Sequence, residues 1–494
     1  MPELLLGIDI GTGSSKAVLA TPDGEIVASS TAPHDMSLPH PGWAEMDAEQ
    51  VWWGDVQRLT ADLVTTENRD SIRAVCVSGV GPCLLLCDDN LTPQRPAILY
   101  GIDMRATSEI AELTDRLGEE EIVRRGGTPL STQAVGPKML WVRRNEPDTW
   151  ARSSKWFNSS SFVVAKLTGE YVLDHHTASQ CDPIYDINAF DWMDDWVSEI
   201  APGIEMPRLA WPSEVVGVVT EQGAAETGLR PGTPVTAGTV DAWAEALSVG
   251  VRNPGDLMLM YGSTMFFVQV LPGLRTSPLL WTTAGVEPRS YTAAAGMATS
   301  GSLTSWMRDL MGGVPFETLV AEAAETPPGA DGLIVLPYMA GERTPIFDPD
   351  ARGVMAGLSL RHSRGHIFRA TYEGIAFGIR QILTLLDDVA QDLPQRIVAV
   401  GGGTKGGLWT RVVSDVTQRP QIVPKETIGA SFGDALMAGI GAGLVRPDTS
   451  WVRDPEVIEP DTSTKDLYDE LFAAYTDLYP STRSAMHLLA RLQR

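Results

Sequence analysis

Positive charge is scarce in this sequence. Its 494 residues include 38 basic and 63 acidic side chains, which gives a formal net charge of −25 and a sequence pI near 4.6. A protein of this charge repels other polyanions at long range. We therefore expect neither nucleic acid nor an anionic membrane surface as a partner.

Cysteine is also rare, and no leader is visible. The four cysteines, Cys76, Cys83, Cys87 and Cys181, form no paired CxxC motif and have no neighbouring histidines. We predict buried thiols rather than a disulfide framework or a zinc site. The first 13 residues run directly into a strand pattern without a basic segment, which is unlike a signal peptide. Both features predict a cytoplasmic protein.

A convincing membrane span is lacking as well. One stretch of 18 residues, 257–274, carries no charge, and this is about the shortest length that spans a bilayer. Gly262, Ser263 and Thr264 interrupt the stretch, and Pro272-Gly273 lies near its end. Turn formers at these points predict a buried hairpin of two strands instead of a membrane helix.

What is present is enough apolar material for more than one core. Apolar residues make up 43% of the chain, and one domain usually takes about 100 to 200 residues. Strand patterns at 4–11, 15–22 and 25–33 precede a helix and a buried strand at 72–80, and a comparable set begins near residue 233. This predicts a duplicated α/β unit with a cleft between its halves, and we place the domains at 1–248 and 249–494.

Glycine-rich turns follow three of the apolar strands, at residues 11–14, 262–264 and 401–403. Glycine lets backbone amides approach an anion closely, and hydroxyl side chains donate to phosphate oxygens. Asp9 and Lys16 flank the first turn. The Asp9 carboxylate suits a metal hydration shell, and the positive charge of Lys16 suits a phosphate. Each turn alone is most simply a tight connection, but the three together indicate one nucleotide site.

Asp241 stands at the end of the apolar strand that we expect to open the second half. A carboxylate at such a position accepts the proton of a hydroxyl as its oxygen attacks phosphorus. The alternative is an N-cap for the helix that follows. Asp9 and Asp241 are expected at matching places in the two halves, which favours catalysis.

These motifs resemble the FGGY carbohydrate kinases, a family within the actin, hexokinase and heat-shock ATPase superfamily. Residues 7–16 resemble the first phosphate motif of the family, and residues 353–358 with 366–373 fit its carboxy-terminal signature. Residues 138–145 fit the core of the other signature, although 133–135 depart from it. The resemblance covers nearly the whole chain, and over that length the xylulose-kinase-like members are most similar.

The resemblance implies a two-lobed actin/hexokinase-like fold of duplicated ribonuclease H-like domains. It also implies ATP-dependent phosphorylation of a sugar or polyol hydroxyl with Mg²⁺. Asp241 matches the catalytic base and Asp9 the carboxylate near magnesium. The positions that match contacts to ATP are Gly11, Thr12, Gly13, Ser14, Lys16, Gly262, Ser263, Thr264, Gly301, Gly401, Gly402, Gly403 and Gly406. Relatives often have a small polar residue where Gly406 stands, so we expect one contact to the nucleoside to be missing.

The substrate is less well defined by these motifs. Xylulose kinases have a Gln-Met-His triplet where residues 80–82 are Val-Gly-Pro, and the Arg-Glu pair of glycerol kinases is absent. Tyr100, Asp103 and Arg105 resemble the next sugar-side segment. The first expectation is a ketopentose such as D-xylulose, and the second is a polyol of four or five carbons.

Other interpretations concern function and the remaining motifs. A non-catalytic sugar or nucleotide sensor and an ATPase chaperone are the alternatives to a kinase. The pair His175-His176 is expected in a solvent-facing loop, because the local sequence offers no further metal ligands. Residues 461–494 predict an amphipathic helix that closes the second half and could meet a partner subunit in a homodimer.

Overall fold

The computed structural model describes residues 2–391, 393, 395–425 and 428–493. Packing divides the chain into two compact units. The first comprises Met1–Arg252, Gly273–Thr292 and Ile428–Val452, and the second comprises Asn253–Pro272, Ala293–Thr427 and Arg453–Arg494. The packing units are each assembled from three separate segments, whereas the predicted domains, 1–248 and 249–494, are continuous. These domain boundaries stay a prediction.

The first unit is built on one mixed sheet. Its strands lie in the order Val215–Val218, Pro234–Thr236, Ile72–Gly79, Leu4–Ile10, Ser14–Ala20 and Ile26–Pro33, and Thr239–Val240 also pairs with Ile72–Gly79. The first three strands of the chain form an antiparallel meander, as predicted. Ile72–Gly79 runs parallel to both Leu4–Ile10 and Thr239–Val240.

Burial on both faces explains why the first strand is a continuous apolar run. Leu4, Leu6, Ile8 and Ile10 belong to a core that includes the helix Gly54–Leu63, whereas Leu5 packs on the opposite face with the helix Ala430–Gly441. Gly7 faces that second helix so closely that a Cβ atom would lie 1.9 Å from the Ser431 carbonyl oxygen. The helix therefore packs directly on the strand that carries Asp9.

The remaining elements of the first unit surround this sheet. Its helices are a π-helix at Ala48–Trp53, the α-helices Gly54–Leu63, Thr107–Leu117, Glu119–Gly126, Val135–Asn145, Pro147–Arg152, Ser159–Thr168, His175–Ala178, Asp194–Ile200, Glu221–Thr227, Asp241–Ser248 and Ala430–Gly441, and a 3₁₀ turn at Arg69–Ser71. Short strand pairs are Glu45–Met46 with Ala97–Ile98, Leu85–Cys87 with Lys155–Phe157, Val172–Asp174 with Arg208–Ala210, and Tyr185–Asp186 with Asp191–Trp192; Trp281–Ala284 is a further strand.

The second unit repeats the same strand arrangement. Its strands lie in the order Tyr291–Met297, Met265–Leu271, Asp256–Tyr261, Arg396–Val400, Gln421–Val423 and Glu456–Ile458, and the first two residues of Tyr291–Met297 belong to the first unit. Ile334–Leu336 pairs separately with Val354–Ala356. Its helices are Gly301–Leu310, Phe316–Glu325, Arg364–Ala390, Leu408–Thr417 and Lys465–Leu492, with 3₁₀ turns at Ala330–Gly332, Gly402–Thr404 and Thr462–Thr464.

The duplication and the hairpin in the uncharged stretch are confirmed. Asp256–Tyr261 pairs antiparallel with Met265–Leu271 and parallel with Arg396–Val400, as the matching strands do in the first sheet. The predicted start of the repeat near residue 233 is wrong. Pro234–Thr236 and Thr239–Val240 both pair parallel with Ile72–Gly79 and so complete the first sheet.

Three further predictions are decided by burial and helix length. The helix Lys465–Leu492 confirms the predicted terminal helix, and all four cysteines are free and buried as expected. The solvent-facing loop for His175-His176 is wrong, because both lie in the helix His175–Ala178 and His176 is fully buried against Trp243. Among the described residues, no helix combines the length and apolar character needed to cross a membrane.

Candidate active site

Asp9 and Asp241 lie at one edge of the first sheet. Asp9 is paired with Ser78, and Val240, the residue before Asp241, is paired with Gly79 on the same strand. Because these strands are parallel, their carboxyl ends meet at one edge. The expectation that the two aspartates occupy matching places in two halves is therefore wrong, since both belong to the first unit.

Asp241 opens a helix but does not cap it through a bond to the second or third amide. The helix is Asp241–Ser248, and the Asp241 carboxylate accepts the amide N–H of the next residue, Ala242, at 2.7 Å. Burial raises the pKa of Asp241 above its usual value. A carboxylate with a raised pKa is a better proton acceptor, as a general base requires.

Glu245 adds a third carboxylate to this edge. It lies one helical turn after Asp241, so the two side chains share a helix face. Burial and the charge of Asp241 raise the pKa of Glu245 to about 7, against the opposing effect of Lys16. Burial raises the pKa of Asp9 well above its usual range, the charges of Asp241 and Glu245 add to this, and Lys16 acts against it. The edge thus gathers three carboxyl groups that resist ionisation, and a bound cation would favour their charged forms.

This edge fits a magnesium ion through a single carboxylate. Oδ1 of Asp9 is buried and has no hydrogen-bond partner in the described part of the chain. Across the same residues, no group of three or more His, Cys, Asp and Glu side chains is arranged to enclose a metal. Mg²⁺ commonly binds to one or two carboxylates and takes its other ligands from phosphates and water, which suits an isolated carboxylate oxygen.

The turn at residues 11–14, which we call the phosphate hairpin, connects the first two strands. The Gly11 amide donates to the Ser14 carbonyl oxygen at 3.2 Å, and a Cβ atom on Gly11 would lie 2.6 Å from that oxygen. The hydroxyl groups of Thr12 and Tyr100 are 3.3 Å apart. One predicted sugar-side residue therefore contacts a predicted phosphate-side residue.

The other predicted sugar-side residues form an ion pair with each other. Both carboxylate oxygens of Asp103 accept from the Arg105 guanidinium, at 2.7 to 3.1 Å, and Oδ2 also accepts the Ala44 amide. Arg105 further pairs with Glu45 at 2.8 Å and lies 4.0 Å from the Trp43 ring centroid. Their buried charges are thus largely satisfied within the protein.

In the second unit, the turn at 262–264 contacts the start of the helix Gly301–Leu310. The amides of Ser300 and Ser302 donate to the Ser263 carbonyl oxygen, and the amide of Gly301 donates to the Gly262 carbonyl oxygen at 3.0 Å. A Cβ atom on Gly301 would lie 2.5 Å from the Gly262 oxygen. This close approach of two backbones explains why residue 301 is glycine.

The turn at 401–403 packs against the end of the same hairpin strand. Gly401 has φ of +93°, and a Cβ atom there would lie 2.7 Å from the Tyr261 carbonyl oxygen. A Cβ atom on Gly403 would meet the Trp409 ring at 2.7 Å. Gly401 and Gly403 thus lie against Tyr261, the residue before Gly262, whereas a Cβ atom on Gly402 would have no neighbour within 4 Å. Gly406, with φ of +98°, is exposed.

Sequence reasoning missed three polar groups near these elements. Glu245 was detectable from its spacing of four residues from Asp241. Asp434 is fully buried and accepts from the Ser78 hydroxyl at 2.7 Å, and Gln133 has a buried Oε1 without a partner among the described residues. Neither has a local sequence signal, since both depend on contacts between distant segments.

Comparisons with known proteins agree with this architecture. The model for the FGGY family of carbohydrate kinases, N-terminal domain, matches residues 4–248, and the model for the C-terminal domain matches residues 257–442. A xylulose kinase from Escherichia coli strain K12 is 28% identical over 443 residues, covering 89% of this chain and 90% of the relative. A gluconokinase from Bacillus subtilis strain 168 is 24% identical over 459 residues, covering 90% and 89%.

A solved structure gives the same result. The xylulose kinase from Rhodospirillum rubrum is 34% identical, with a TM-score of 0.91 over 98% of this chain and 100% of that chain. The chain belongs to the FGGY family of carbohydrate kinases and has the two-domain fold of that family. It is a carbohydrate kinase that uses ATP to phosphorylate a sugar, and the predicted enzyme class is confirmed.

Proposed function

We propose that the enzyme transfers the γ-phosphoryl group of ATP to a hydroxyl of a ketopentose, with D-xylulose as the first candidate. The observation that carries this proposal is the 34% identity to a xylulose kinase over nearly the full length of both chains. A second candidate is a polyol of four or five carbons, favoured by the apolar Val80 and Pro82 where xylulose kinases have polar side chains.

In the proposed reaction, Asp241 accepts the proton of the attacking hydroxyl. Its raised pKa and its position at the sheet edge support this role. The phosphate hairpin would hold the phosphates through its backbone amides and the Thr12 and Ser14 hydroxyls, and Lys16 would supply positive charge. Phosphoryl transfer requires this positioning and charge neutralisation more than covalent chemistry from the protein.

We propose Asp9 as the residue that holds Mg²⁺. Its orphaned, buried Oδ1 and its electrostatic interaction with the carboxylates of Asp241 and Glu245 support this assignment. Held by Asp9, Mg²⁺ would supply positive charge that offsets the negative charge of the transferred group. In the second unit, we assign Gly262 to Thr264, Gly301, Gly401 to Gly403 and Gly406 to ATP.

On the sugar side, the proposed contacts come from Tyr100 and from Gln133, which lies next to Gly101. The segment 80–83 offers few side-chain donors, and Asn158 holds it in place by accepting the Cys83 amide at 2.9 Å. Asp103 and Arg105 also remain proposed substrate contacts. Because Asp103 and Arg105 bind each other, we favour an indirect role in substrate binding, in which they hold the segment that carries Tyr100 in position.

The test is ADP release measured across D-xylulose, other ketopentoses, four- and five-carbon polyols and gluconate. D-xylulose should give the highest kcat/KM. A preference of tenfold or more for a polyol would instead support the second candidate, and a preference for gluconate would contradict both.

Two further proposals concern assembly and location. Leu467, Leu488, Leu489 and Leu492 of the terminal helix are 40 to 75% exposed, which supports a homodimer through this helix, and sedimentation velocity tests it. Four free, buried thiols and the use of ATP support a cytoplasmic location, which cell fractionation tests.

A further inference from the structure

His34 lies beside the phosphate hairpin and contacts it through both side chain and backbone. It follows the strand Ile26–Pro33, and only 4% of its side chain is exposed. Its Nε2 is 3.0 Å from the Gly11 carbonyl oxygen, and its amide donates to the Gly13 carbonyl oxygen at 3.2 Å. Two carbonyl groups of the hairpin are therefore held by one residue.

The other ring nitrogen faces a carboxylate. Nδ1 of His34 is 2.6 Å from Oδ2 of Asp55, a residue of the helix Gly54–Leu63. A carbonyl oxygen and a carboxylate oxygen can only accept, so both ring nitrogens must carry a hydrogen to satisfy both contacts. The geometry is that of an imidazolium ion.

The surrounding charges favour this charged form. Burial lowers the pKa of His34, but the hydrogen bond and charge of Asp55, with the backbone of Gly11 and Thr12, outweigh burial and raise it overall. Asp55 also accepts from the Ser15 hydroxyl at 2.6 Å and pairs with Arg58. Burial acts to raise the pKa of Asp55, and these three partners lower it overall.

The groups around the His34–Asp55 pair come from three elements. Asp55 and Arg58 come from the helix, Ser15 from the second strand, and the carbonyls from the hairpin. Carbonyl oxygens that are turned toward His34 are kept away from phosphate oxygens, which would repel them. The charged ring donates to both the Gly11 carbonyl oxygen and Asp55, whereas a neutral ring can donate to only one of them. The shape of the hairpin thus depends on the charged ring.

We infer that His34 is a positioning residue, a cationic tether that holds the Gly11 carbonyl so that the hairpin receives the phosphates of ATP. This inference rests on the proposed phosphate-binding role of residues 11–14. Loss of the ring charge releases the Gly11 carbonyl while the bond to Asp55 is kept. ATP binding should therefore weaken at high pH or in variants without a donor at the Nε2 position.

Two substitutions separate the two ring nitrogens. His34→Asn places an amide donor near the Nδ1 position and keeps the Asp55 contact, whereas His34→Gln reaches the Nε2 position and keeps the Gly11 contact. We expect His34→Asn to raise KM for ATP about tenfold with a smaller change in kcat, and His34→Gln to stay within about threefold of wild type. His487→Asn is the matched control, because His487 pairs with Asp348 at 2.6 Å in the second unit.

The pH profile gives a second readout. Wild-type kcat/KM for ATP should fall as the pH rises through the His34 pKa, above 6.5, and this limb should be absent in His34→Gln. Equal KM values for ATP in His34→Asn, His487→Asn and wild type would overturn the tether. So would a high-pH limb that His34→Gln retains, and this second measurement decides the matter if His34→Asn does not fold.

Ser14→Ala distinguishes the tether from the role of the hairpin. A raised KM for ATP in Ser14→Ala with no change in His34→Asn would overturn the tether alone. An unchanged KM for ATP in both Ser14→Ala and His34→Asn would contradict the phosphate-binding role of the hairpin together with the tether.

Discussion

The Tyr100 hydroxyl lies 3.3 Å from Oγ1 of Thr12. This contact joins the segment assigned to the sugar with the turn assigned to the phosphates, although the residues are 88 positions apart in the chain. Both residues belong to the first unit. The proposed sugar contact and the proposed phosphate contact are therefore linked by this hydrogen bond.

Removing either hydroxyl should affect the same step. We expect Tyr100→Phe and Thr12→Val each to raise KM for both substrates by about two- to twelvefold, because a hydrogen bond of this kind contributes about 0.5 to 1.5 kcal/mol. The double variant should be less impaired than the product of the single effects. Steady-state kinetics of all four proteins gives the coupling energy, and strictly multiplicative effects would show that the contact does not operate in the enzyme.

The second prediction concerns the base. Asp241→Asn should lower kcat by a factor of about 10² to 10⁴, the range that a positioned base contributes, while the Kd for ATP changes little. Isothermal titration of ATP and an ADP-release assay measure the two quantities. Glu245→Gln serves as a comparison, because it removes a neighbouring carboxylate one turn away while leaving Asp241 in place. Turnover near the wild-type rate in Asp241→Asn would exclude this aspartate as the base.

The third prediction tests the backbone contact in the second unit. Gly301→Ala should destabilise the protein by about 1 to 3 kcal/mol and raise KM for ATP, since the new methyl group would meet the Gly262 carbonyl oxygen. Gly273→Ala is the matched control, because a Cβ atom there has no neighbour within 4 Å. Urea unfolding and ATP kinetics of the pair check this, and equal stability of both variants would mean that the helix start shifts without cost.

The sequence predicted local elements well because their signals are local. The meander of the first three strands, the hairpin in the uncharged stretch and the terminal helix follow from apolar patterns and turn residues. The family-like motifs also identified Asp9 and Asp241 as candidate site residues. The prediction that the two aspartates occupy matching places in two halves was wrong, because strand pairing is long-range. Thr239–Val240 has the pattern expected at the start of a repeat, yet it pairs with a strand about 160 residues earlier.

The contacts that shape the candidate site were beyond sequence reasoning for the same reason. His34 and Asp55 are 21 residues apart, at no spacing that marks a helix face or a strand pair. Gly301 is glycine because of a carbonyl group 39 residues away, which no turn rule predicts. Asp103 and Arg105 were predicted as substrate contacts from their resemblance to the sugar-side segment of the family, and only the structure reveals that they bind each other.

The last prediction concerns a buried carboxyl group that stabilises the fold only when it is protonated. Asp174 is 1% exposed, and burial raises its pKa to about 6 even though Thr177 and Thr239 donate to it. Its Oδ2 has no partner among the described residues. Because the folded pKa lies above the unfolded value of 3.8, the folded state binds the proton more tightly, and stability falls as the pH rises through about 6.

Asp174→Asn removes the charge and keeps one acceptor oxygen. The variant should be more stable relative to wild type at pH 8 than at pH 5, by about 1.4 kcal/mol, because about one pH unit separates pH 5 from the folded pKa and each unit contributes about 1.36 kcal/mol. Urea unfolding at both pH values measures this difference, and Asp186→Asn, at a half-buried position of the same unit, controls for general charge effects. Equal differences at the two pH values would mean that Asp174 is already ionised in the folded protein across this range and is stabilised by its two threonine donors.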